Sequence, residues 1–217
     1  MIDANEVADR VADVRERIST AGGSDVSLVA VTKTFGVAAI AAAAAAGCDA
    51  VGENYAQELL EKTAAGIPAI DVHFIGALQS NKVRLLAGHV ALWQSVDRDS
   101  VVDELGRRAS GASILLQVDT TNEPSKGGVS PELLGNLRIR AESQQLHVAG
   151  LMTIGPTDGT RQECEKAFTL LRRLVDDHGL AVCSMGMTAD YEIAVACGST
   201  MVRVGSGLFG SRSSASM

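Results

Sequence analysis

The sequence is poor in aromatic residues, and it has neither a basic cluster nor a long apolar run. Aromatic side chains make up 3% of the 217 residues, so Ala, Val, Leu and Ile must fill the core of this 46% hydrophobic chain. The 19 Lys and Arg residues face 26 Asp and Glu residues and form no stripe, which argues against a nucleic-acid partner. The longest apolar stretch, residues 38–46, is too short to span a bilayer, and the N-terminus has no signal-peptide core. We therefore expect a cytoplasmic protein that binds neither nucleic acid nor membranes.

Cysteine is also scarce, and the four cysteines are spread widely along the chain: Cys48, Cys164, Cys183 and Cys197. They form no CxxC pair, and no histidines accompany them at the spacing of metal ligands. We interpret them as small core residues of a protein in a reducing compartment, and we expect no metal site.

The chain contains eight short apolar runs of the kind that form buried parallel strands. They lie at residues 27–33, 49–54, 71–77, 91–97, 113–120, 146–154, 181–187 and 200–207. Helical segments separate them, at residues 37–46, 55–65, 80–88, 99–109, 130–144, 160–178 and 188–197. This alternation predicts an α/β fold, a (β/α)8 TIM barrel formed by a single domain over residues 1–217. A doubly wound open sheet has the same local pattern and remains the alternative.

The segments before the first predicted strand and after the last one differ from each other. An amphipathic segment at residues 3–20 precedes the first strand, whereas no helical segment follows the eighth strand. We expect the extra N-terminal helix to cover the gap left by the missing eighth C-terminal helix. The polar tail, residues 211–217, is predicted to be disordered.

Lys33 ends the apolar strand SLVAVTK, where a lysine is unusual. Of the five lysines, Lys62 and Lys166 lie in charged helical segments and are predicted to be solvated. A lysine at the carboxyl end of a barrel strand lies at the functional mouth of the fold. Such a side chain reaches water, forms an ion pair, or in its neutral form attacks aldehydes.

The seventh and eighth strands end in sequences that are typical of a phosphate site. SMGMTAD (184–190) predicts a helix that starts at Thr188, and VRVGSG (202–207) places Gly205 and Gly207 where the backbone approaches a ligand closely. The loops after these two strands hold a phosphate in many barrels. A phosphate site and a lysine in one mouth indicate a phosphorylated aldehyde held as an imine, which is the chemistry of pyridoxal 5′-phosphate.

Seven motifs in one order resemble those of the pyridoxal phosphate homeostasis protein family, the single-domain relatives of the alanine racemase N-terminal barrel. The motifs are AVTKT (30–34), GENYAQE (52–58), HFIGALQSNK (73–82), SKGG (125–128), GLMTIGP (150–156), SMGMTAD (184–190) and GSTMVRVGSGLFG (198–210). The resemblance extends from about residue 3 to residue 210. It implies an alanine racemase N-terminal-like barrel with pyridoxal 5′-phosphate as its cofactor.

The resemblance also implies which residues bind the cofactor: Lys33, Asn54, Ser184, Thr188, Arg203, Gly205 and Ser206. Lys33 would form the internal aldimine, Asn54 would lie beside the ring, and Arg203 would face the pyridine nitrogen. A permanently charged guanidinium discourages protonation of that nitrogen, which makes the cofactor a poorer electron sink.

The phosphate contacts follow from the same resemblance. Thr188, Gly205 and Ser206 would hold the phosphate, with Ser184 close by. Thr188 stands where the family usually has serine, and a hydroxyl is retained. The tail lacks the basic ending of many relatives, so no role is transferred to it.

The resemblance favours a carrier over an enzyme. In alanine racemases the second catalytic base is a tyrosine from another domain, whereas Tyr55 and Tyr191 each lie near a helix start here. We assign no catalytic residue, and we expect a monomer or weak dimer that stores pyridoxal phosphate and delivers it to apo enzymes, with an effect on amino-acid and keto-acid balance. The alternatives are a minimal amino-acid racemase and a phosphate-metabolite barrel in which Lys33 only forms an ion pair.

Three further polar features lie near the predicted strand ends. His73 is interpreted as a structural histidine of an apolar strand. The loop that carries Lys82 and the SKGG segment that carries Lys126 are either ordinary turns or parts of the mouth, with Lys126 as a secondary cofactor contact.

Overall fold

Eight parallel strands form a closed barrel in the computed structural model, which describes residues 2–123 and 126–210. The strands are β1 (Ser27–Val31), β2 (Ala50–Glu53), β3 (Asp71–Phe74), β4 (Leu92–Val96), β5 (Ser113–Gln117), β6 (His147–Met152), β7 (Val182–Met187) and β8 (Met201–Val204). They follow one another in chain order, and β8 pairs with β1. The barrel prediction is therefore confirmed, and the open sheet is excluded. The tail predicted to be disordered, residues 211–217, and Ser125 of the SKGG segment lie outside the described residues.

Helices separate the strands and cover the outside of the barrel. They are α1 (Ala4–Thr20), α2 (Val37–Ala45), α3 (Ala56–Ala64), α4 (Ser80–Leu86), α5 (Asp99–Arg108), α6 (Leu134–Ser143), α7 (Arg161–Asp177), α8 (Tyr191–Ala196) and α9 (Ser206–Phe209). In the part of the chain that the structure describes, no helix is both long enough and apolar enough to cross a membrane.

The N-terminal helix occupies the position predicted for it. Val7, Val11, Val14 and Ile18 form its buried face, and α1 packs against α2, α8 and α9. It therefore lies where the eighth helix of a regular barrel would stand. The single helical turn of α9 after β8 was not predicted, because four residues are too few to produce a helical period.

The start of α8 differs from the prediction. The helix begins at Tyr191 rather than at Thr188, because the segment between them forms a turn in which Asp190 Oδ1 accepts the Met187 N–H at 2.6 Å. The Thr188 hydroxyl therefore does not cap α8. It is free to serve the loop that follows β8.

Side chains alternate between the two faces of each strand, which fixes what reaches the barrel interior. An apolar layer fills the interior, formed by Val29, Ala50, Leu92, Leu115, Met152 and Met201. The residues between them, such as Leu28, Ala30 and Val51, face the helices. Positions two and four residues beyond the apolar layer therefore face the mouth at the carboxyl ends of the strands.

Candidate functional site

Lys33 lies at the barrel mouth, two residues past the end of β1. It faces the same side as Val29 and Val31, and it helps to line a cavity of about 280 Å³. The other lining residues are Val31, Thr34, Phe35, Gly205, Ser206 and Gly210. Among the ion pairs between described residues, none includes Lys33. The amine is therefore available to a ligand in this cavity.

Asn54 lies just after β2, the strand next to β1, at the same level along the barrel axis as Lys33. Val31 of β1 pairs with Gly52 of β2, so Lys33 and Asn54 come two residues later on the same face. The Asn54 Oδ1 atom is buried and has no hydrogen-bond partner among the described residues. A buried polar atom of this kind is normally satisfied, so Asn54 has an acceptor to offer to a ligand.

Arg203 is a buried cation that forms no ion pair with the described carboxylates, although the charge of Asp190 is close enough to raise its pKa. Its side chain is 4% exposed; Nη1 donates to Ser184 Oγ at 2.6 Å and Nη2 to the Thr153 carbonyl at 2.8 Å. Burial lowers the pKa of Arg203 to about 10, which leaves the guanidinium charged at neutral pH. Because buried charges are normally paired, a cation whose two hydrogen-bond partners are both neutral favours a ligand that brings negative charge or a lone pair.

A polar chain connects Arg203 to the opposite side of the barrel. The Ser184 hydroxyl donates to Gln94 Oε1 at 2.7 Å, and Gln94 Nε2 lies 2.9 Å from His73 Nδ1. Since β4 and β7 are not neighbours, the bond between Gln94 and Ser184 crosses the barrel interior. Burial lowers the pKa of His73 to about 4, so the neutral ring accepts the amide N–H.

These hydrogen bonds place Ser184 between Arg203 and Gln94, whereas the sequence suggested a position close to the phosphate. Both hydrogen-bonding directions of its hydroxyl are used by Arg203 and Gln94, and the residue is fully buried. Gln94 was missed because it lies in the apolar run ALWQSVD. A polar residue at an inward position of a buried strand was the available signal.

Thr188 holds the loop that follows β8. Its Oγ1 accepts the N–H groups of Gly205 and Gly207, each at 3.3 Å. The loop is closely packed, because a Cβ atom on Gly207 would lie 2.9 Å from Val204 Cγ1. Ser206, between the two glycines, is exposed and lines the Lys33 cavity.

The prediction that Lys62 is solvated is wrong. Its side chain is 5% exposed, and Nζ lies 2.5 Å from Glu53 Oε1 and 2.7 Å from Glu58 Oε1. Lys166 is exposed, as predicted. The error arose because the sequence shows the charge of α3 but not the carboxylate that β2 brings against it.

Lys126 connects two loops at the mouth. Its Nζ pairs with Glu123 Oε1 at 2.8 Å and donates to the Gly155 carbonyl. The hydrogen bond from Lys126 lowers the pKa of Glu123 to about 2. In this arrangement the Lys126 amine is already paired, whereas the Lys33 amine is not. Lys82 lies half-buried in the first turn of α4.

Comparison with known proteins defines the class of this barrel. The family model described as the alanine racemase N-terminal domain matches residues 2–213. A pyridoxal phosphate homeostasis protein of Pseudomonas aeruginosa is 40% identical over 220 residues, which cover 96% of this chain and 95% of that protein. A protein of the same name from Haemophilus influenzae is 37% identical and covers 92% of this chain and 93% of its own length.

A solved structure has the same barrel. PipY of Synechococcus elongatus, solved with pyridoxal phosphate bound, superposes with a TM-score of 0.81 at 33% identity, over 94% of this chain and all of PipY. The chain belongs to the pyridoxal phosphate homeostasis protein family, within the class of alanine racemase N-terminal barrels.

Proposed function

We propose that this protein binds pyridoxal 5′-phosphate covalently through Lys33 and acts as a cytoplasmic carrier that delivers the cofactor to apo enzymes. The observation that carries the proposal is the unpaired Lys33 amine, which lines a cavity together with Gly205 and Ser206. The cofactor supplies an aldehyde. The lysine nitrogen bonds to the aldehyde carbon, and one water molecule leaves.

Three side chains at the mouth suit this cofactor. Lys33 offers an amine, the buried Asn54 Oδ1 offers an acceptor, and the buried Arg203 guanidinium offers a cation to the pyridine nitrogen. Among the described residues, Lys33 and Arg203 have no ion-pair partner, and Asn54 Oδ1 has no hydrogen-bond partner. One ligand with an aldehyde, a polar ring edge and a ring nitrogen satisfies all three needs.

We assign the phosphate of the cofactor to Thr188, Gly205 and Ser206. The Thr188 hydroxyl fixes the loop by accepting the N–H groups of Gly205 and Gly207, and Ser206 lies in the cavity wall. Ser184 supports Arg203 in this proposal rather than contacting the phosphate, because its single O–H donor is used by Gln94.

Two features favour storage over amino-acid turnover. A guanidinium opposite the pyridine nitrogen disfavours the protonated ring that stabilises carbanions best. Tyr191 is buried in the helical layer, Tyr55 is 54% exposed at the start of α3, and neither tyrosine lines the Lys33 cavity as a second base would. The expected influence on amino-acid and keto-acid balance then comes from cofactor supply.

The test is a titration of the purified chain with pyridoxal phosphate, followed by visible absorption, for the native protein, Lys33→Ala and Lys126→Ala. The proposal expects a coloured 1:1 adduct in the native protein and in Lys126→Ala, and none in Lys33→Ala. Loss of colour in Lys126→Ala with retention in Lys33→Ala contradicts it.

The same preparation separates a carrier from a racemase. The adduct is incubated with a single enantiomer of a free amino acid, and formation of the opposite enantiomer is measured over time. A carrier produces none above the rate of free pyridoxal phosphate. Sustained turnover that disappears in Lys33→Ala contradicts the carrier role and establishes the minimal racemase.

A further inference from the structure

A buried ionic cluster lies directly behind the Lys33 segment. It consists of Thr32, Glu53, Glu58 and Lys62, and is called here the Lys62 cluster. Lys62 Nζ pairs with both carboxylates and donates to the Thr32 carbonyl at 2.8 Å, and the Thr32 hydroxyl donates to Glu53 Oε1 at 2.6 Å. The ends of β1 and β2 and the helix α3 are therefore tied together at one point.

The Lys62 cluster lies on the outer face of the barrel wall. Thr32 lies two residues after Ala30, and Glu53 lies two residues after Val51, both of which face outward. Since side chains alternate along a strand, Thr32 and Glu53 face α3 while Lys33 faces the mouth. Burying these charges costs free energy, and replacing a buried ion pair with hydrophobic side chains of similar size often leaves a protein equally or more stable. Burial also raises the pKa of Glu53, whose Oε2 has no partner among the described residues. Stability alone is thus a weak reason for an ionic cluster at this position.

The cluster reaches both neighbours of Lys33 along the chain. Lys62 holds the carbonyl of Thr32, and Glu58 Oε1 accepts the N–H of Thr34 at 2.5 Å. Thr34 has φ +67°, a left-handed conformation that is rare for a β-branched residue. Such a backbone persists only where its surroundings hold it, and the Glu58 carboxylate is the group that binds its N–H.

We propose that Glu58 and Lys62 are positioning residues for the Lys33 amine. By fixing the backbone on both sides of Lys33, they set the direction in which the amine enters the cavity. This inference rests on the proposed covalent binding of an aldehyde cofactor at Lys33. It concerns the speed and the selectivity of attack, since a nucleophile shifted by about 1 Å can lose about 100-fold in rate.

The test measures the rate constant for coloured adduct formation with pyridoxal phosphate in three variants. Glu58→Ala removes the acceptor of the Thr34 N–H, and Glu58→Gln retains an acceptor oxygen without the charge. Glu61→Ala is the matched control, because Glu61 is an exposed glutamate on the same helix whose carboxylate binds Gln57 instead. If Glu58→Ala does not fold, Glu58→Met replaces it, since this side chain fills a similar space and carries no acceptor oxygen.

A second readout separates positioning from a general loss of structure. Borohydride reduction followed by peptide mapping gives the share of label on Lys33 relative to Lys82 and Lys126. We expect Glu58→Ala to react roughly tenfold or more slowly and to lose selectivity for Lys33, whereas Glu58→Gln and Glu61→Ala stay near the native values. Thr34→Gly added to Glu58→Ala is expected to recover much of the rate, because glycine adopts a positive φ without strain.

The outcomes distinguish this inference from the proposed function. A native protein that labels Lys33, with Glu58→Ala reacting at the native rate and selectivity, overturns the positioning role alone. Slower reaction that matches the fall in folded fraction, with selectivity for Lys33 unchanged, also overturns it. A native protein that does not label Lys33 overturns both the proposed function and this inference.

Discussion

The Ser184 hydroxyl donates a hydrogen bond of 2.7 Å to Gln94 Oε1 across the interior of the barrel, from β7 to β4. The same hydroxyl accepts from Arg203 Nη1 at 2.6 Å. The direction of the buried guanidinium is therefore set by a glutamine on the far wall. The barrel interior thus supports the mouth with polar contacts as well as with apolar packing.

Removal of the Ser184 hydroxyl is expected to destabilise the fold. Ser184→Ala takes one neutral acceptor from a buried cation, and a hydrogen bond to a charged group contributes about 2 kcal/mol. Urea unfolding followed by the fluorescence of Trp93, the only tryptophan, measures this loss. Ser100→Ala, at an exposed position of α5, is the control and should change stability by less than about 0.5 kcal/mol. An equal, small effect of both variants contradicts the role given to Ser184.

Buried His73 is expected to make the fold less stable in acid. Its pKa falls from 6.5 to about 4 on folding because of burial, so between these values the unfolded chain binds more protons than the folded one. The free energy of unfolding therefore rises with pH across this window, and acidification from pH 6.5 to pH 4 costs on the order of 3 kcal/mol at this residue.

The variant His73→Gln isolates that contribution. Glutamine retains an acceptor for Gln94 and does not titrate, so the difference in unfolding free energy between native and variant should shrink as the pH falls. Urea unfolding at several pH values gives this difference. His89→Gln, at an exposed position before β4, should leave the native pH dependence unchanged. A pH-independent difference between native and His73→Gln shows that His73 is not the titrating group.

Thr188 is expected to affect binding of the phosphate group selectively. Thr188→Ala removes the acceptor of the Gly205 and Gly207 N–H groups, so the loop loses two hydrogen bonds that shape the proposed phosphate site. We expect the Kd for pyridoxal phosphate to rise roughly tenfold, and the Kd for pyridoxal, which has no phosphate, to change little. Thr188→Ser keeps the hydroxyl and should remain near native. Equal weakening for both ligands in Thr188→Ala removes the phosphate assignment.

The buried thiols are expected to resist alkylation in the native protein. Burial raises the pKa of Cys48 to about 11 and that of Cys183 to about 12, so very little reactive thiolate exists at pH 8. Timed alkylation and peptide mapping should label the half-buried Cys197 before either of them, and unfolding in urea should make all sites react. Rapid labelling of Cys48 or Cys183 in the folded chain contradicts this burial.

The barrel itself could be predicted because its signals are local and repeated. Near-continuous apolar runs such as residues 27–31 alternate with helical segments, and the buried stripe of α1 is visible at its period. Lys33 was identifiable as well, since a cation at the end of an apolar strand conflicts with ordinary burial preferences.

The partners of the polar residues could not be predicted in the same way. Lys62 looks solvated because its helix is charged, and only the fold brings Glu53 of β2 against it. The partner of Gln94 is 90 residues away and lies across the barrel, so no local period indicates it. The sequence predicts that the Thr188 hydroxyl caps the helix after β7, whereas in the structure it accepts the N–H of Gly205 in the loop after β8. Such pairings depend on tertiary packing rather than on local sequence.

The most direct test of the central claim is the site of covalent attachment. The native chain is incubated with equimolar pyridoxal phosphate, reduced with borohydride and digested, and the labelled lysine is identified by mass. The account predicts that one lysine carries nearly all of the label, and that it is Lys33. Label found mainly on Lys126 or Lys82, with Lys33 unmodified, contradicts it.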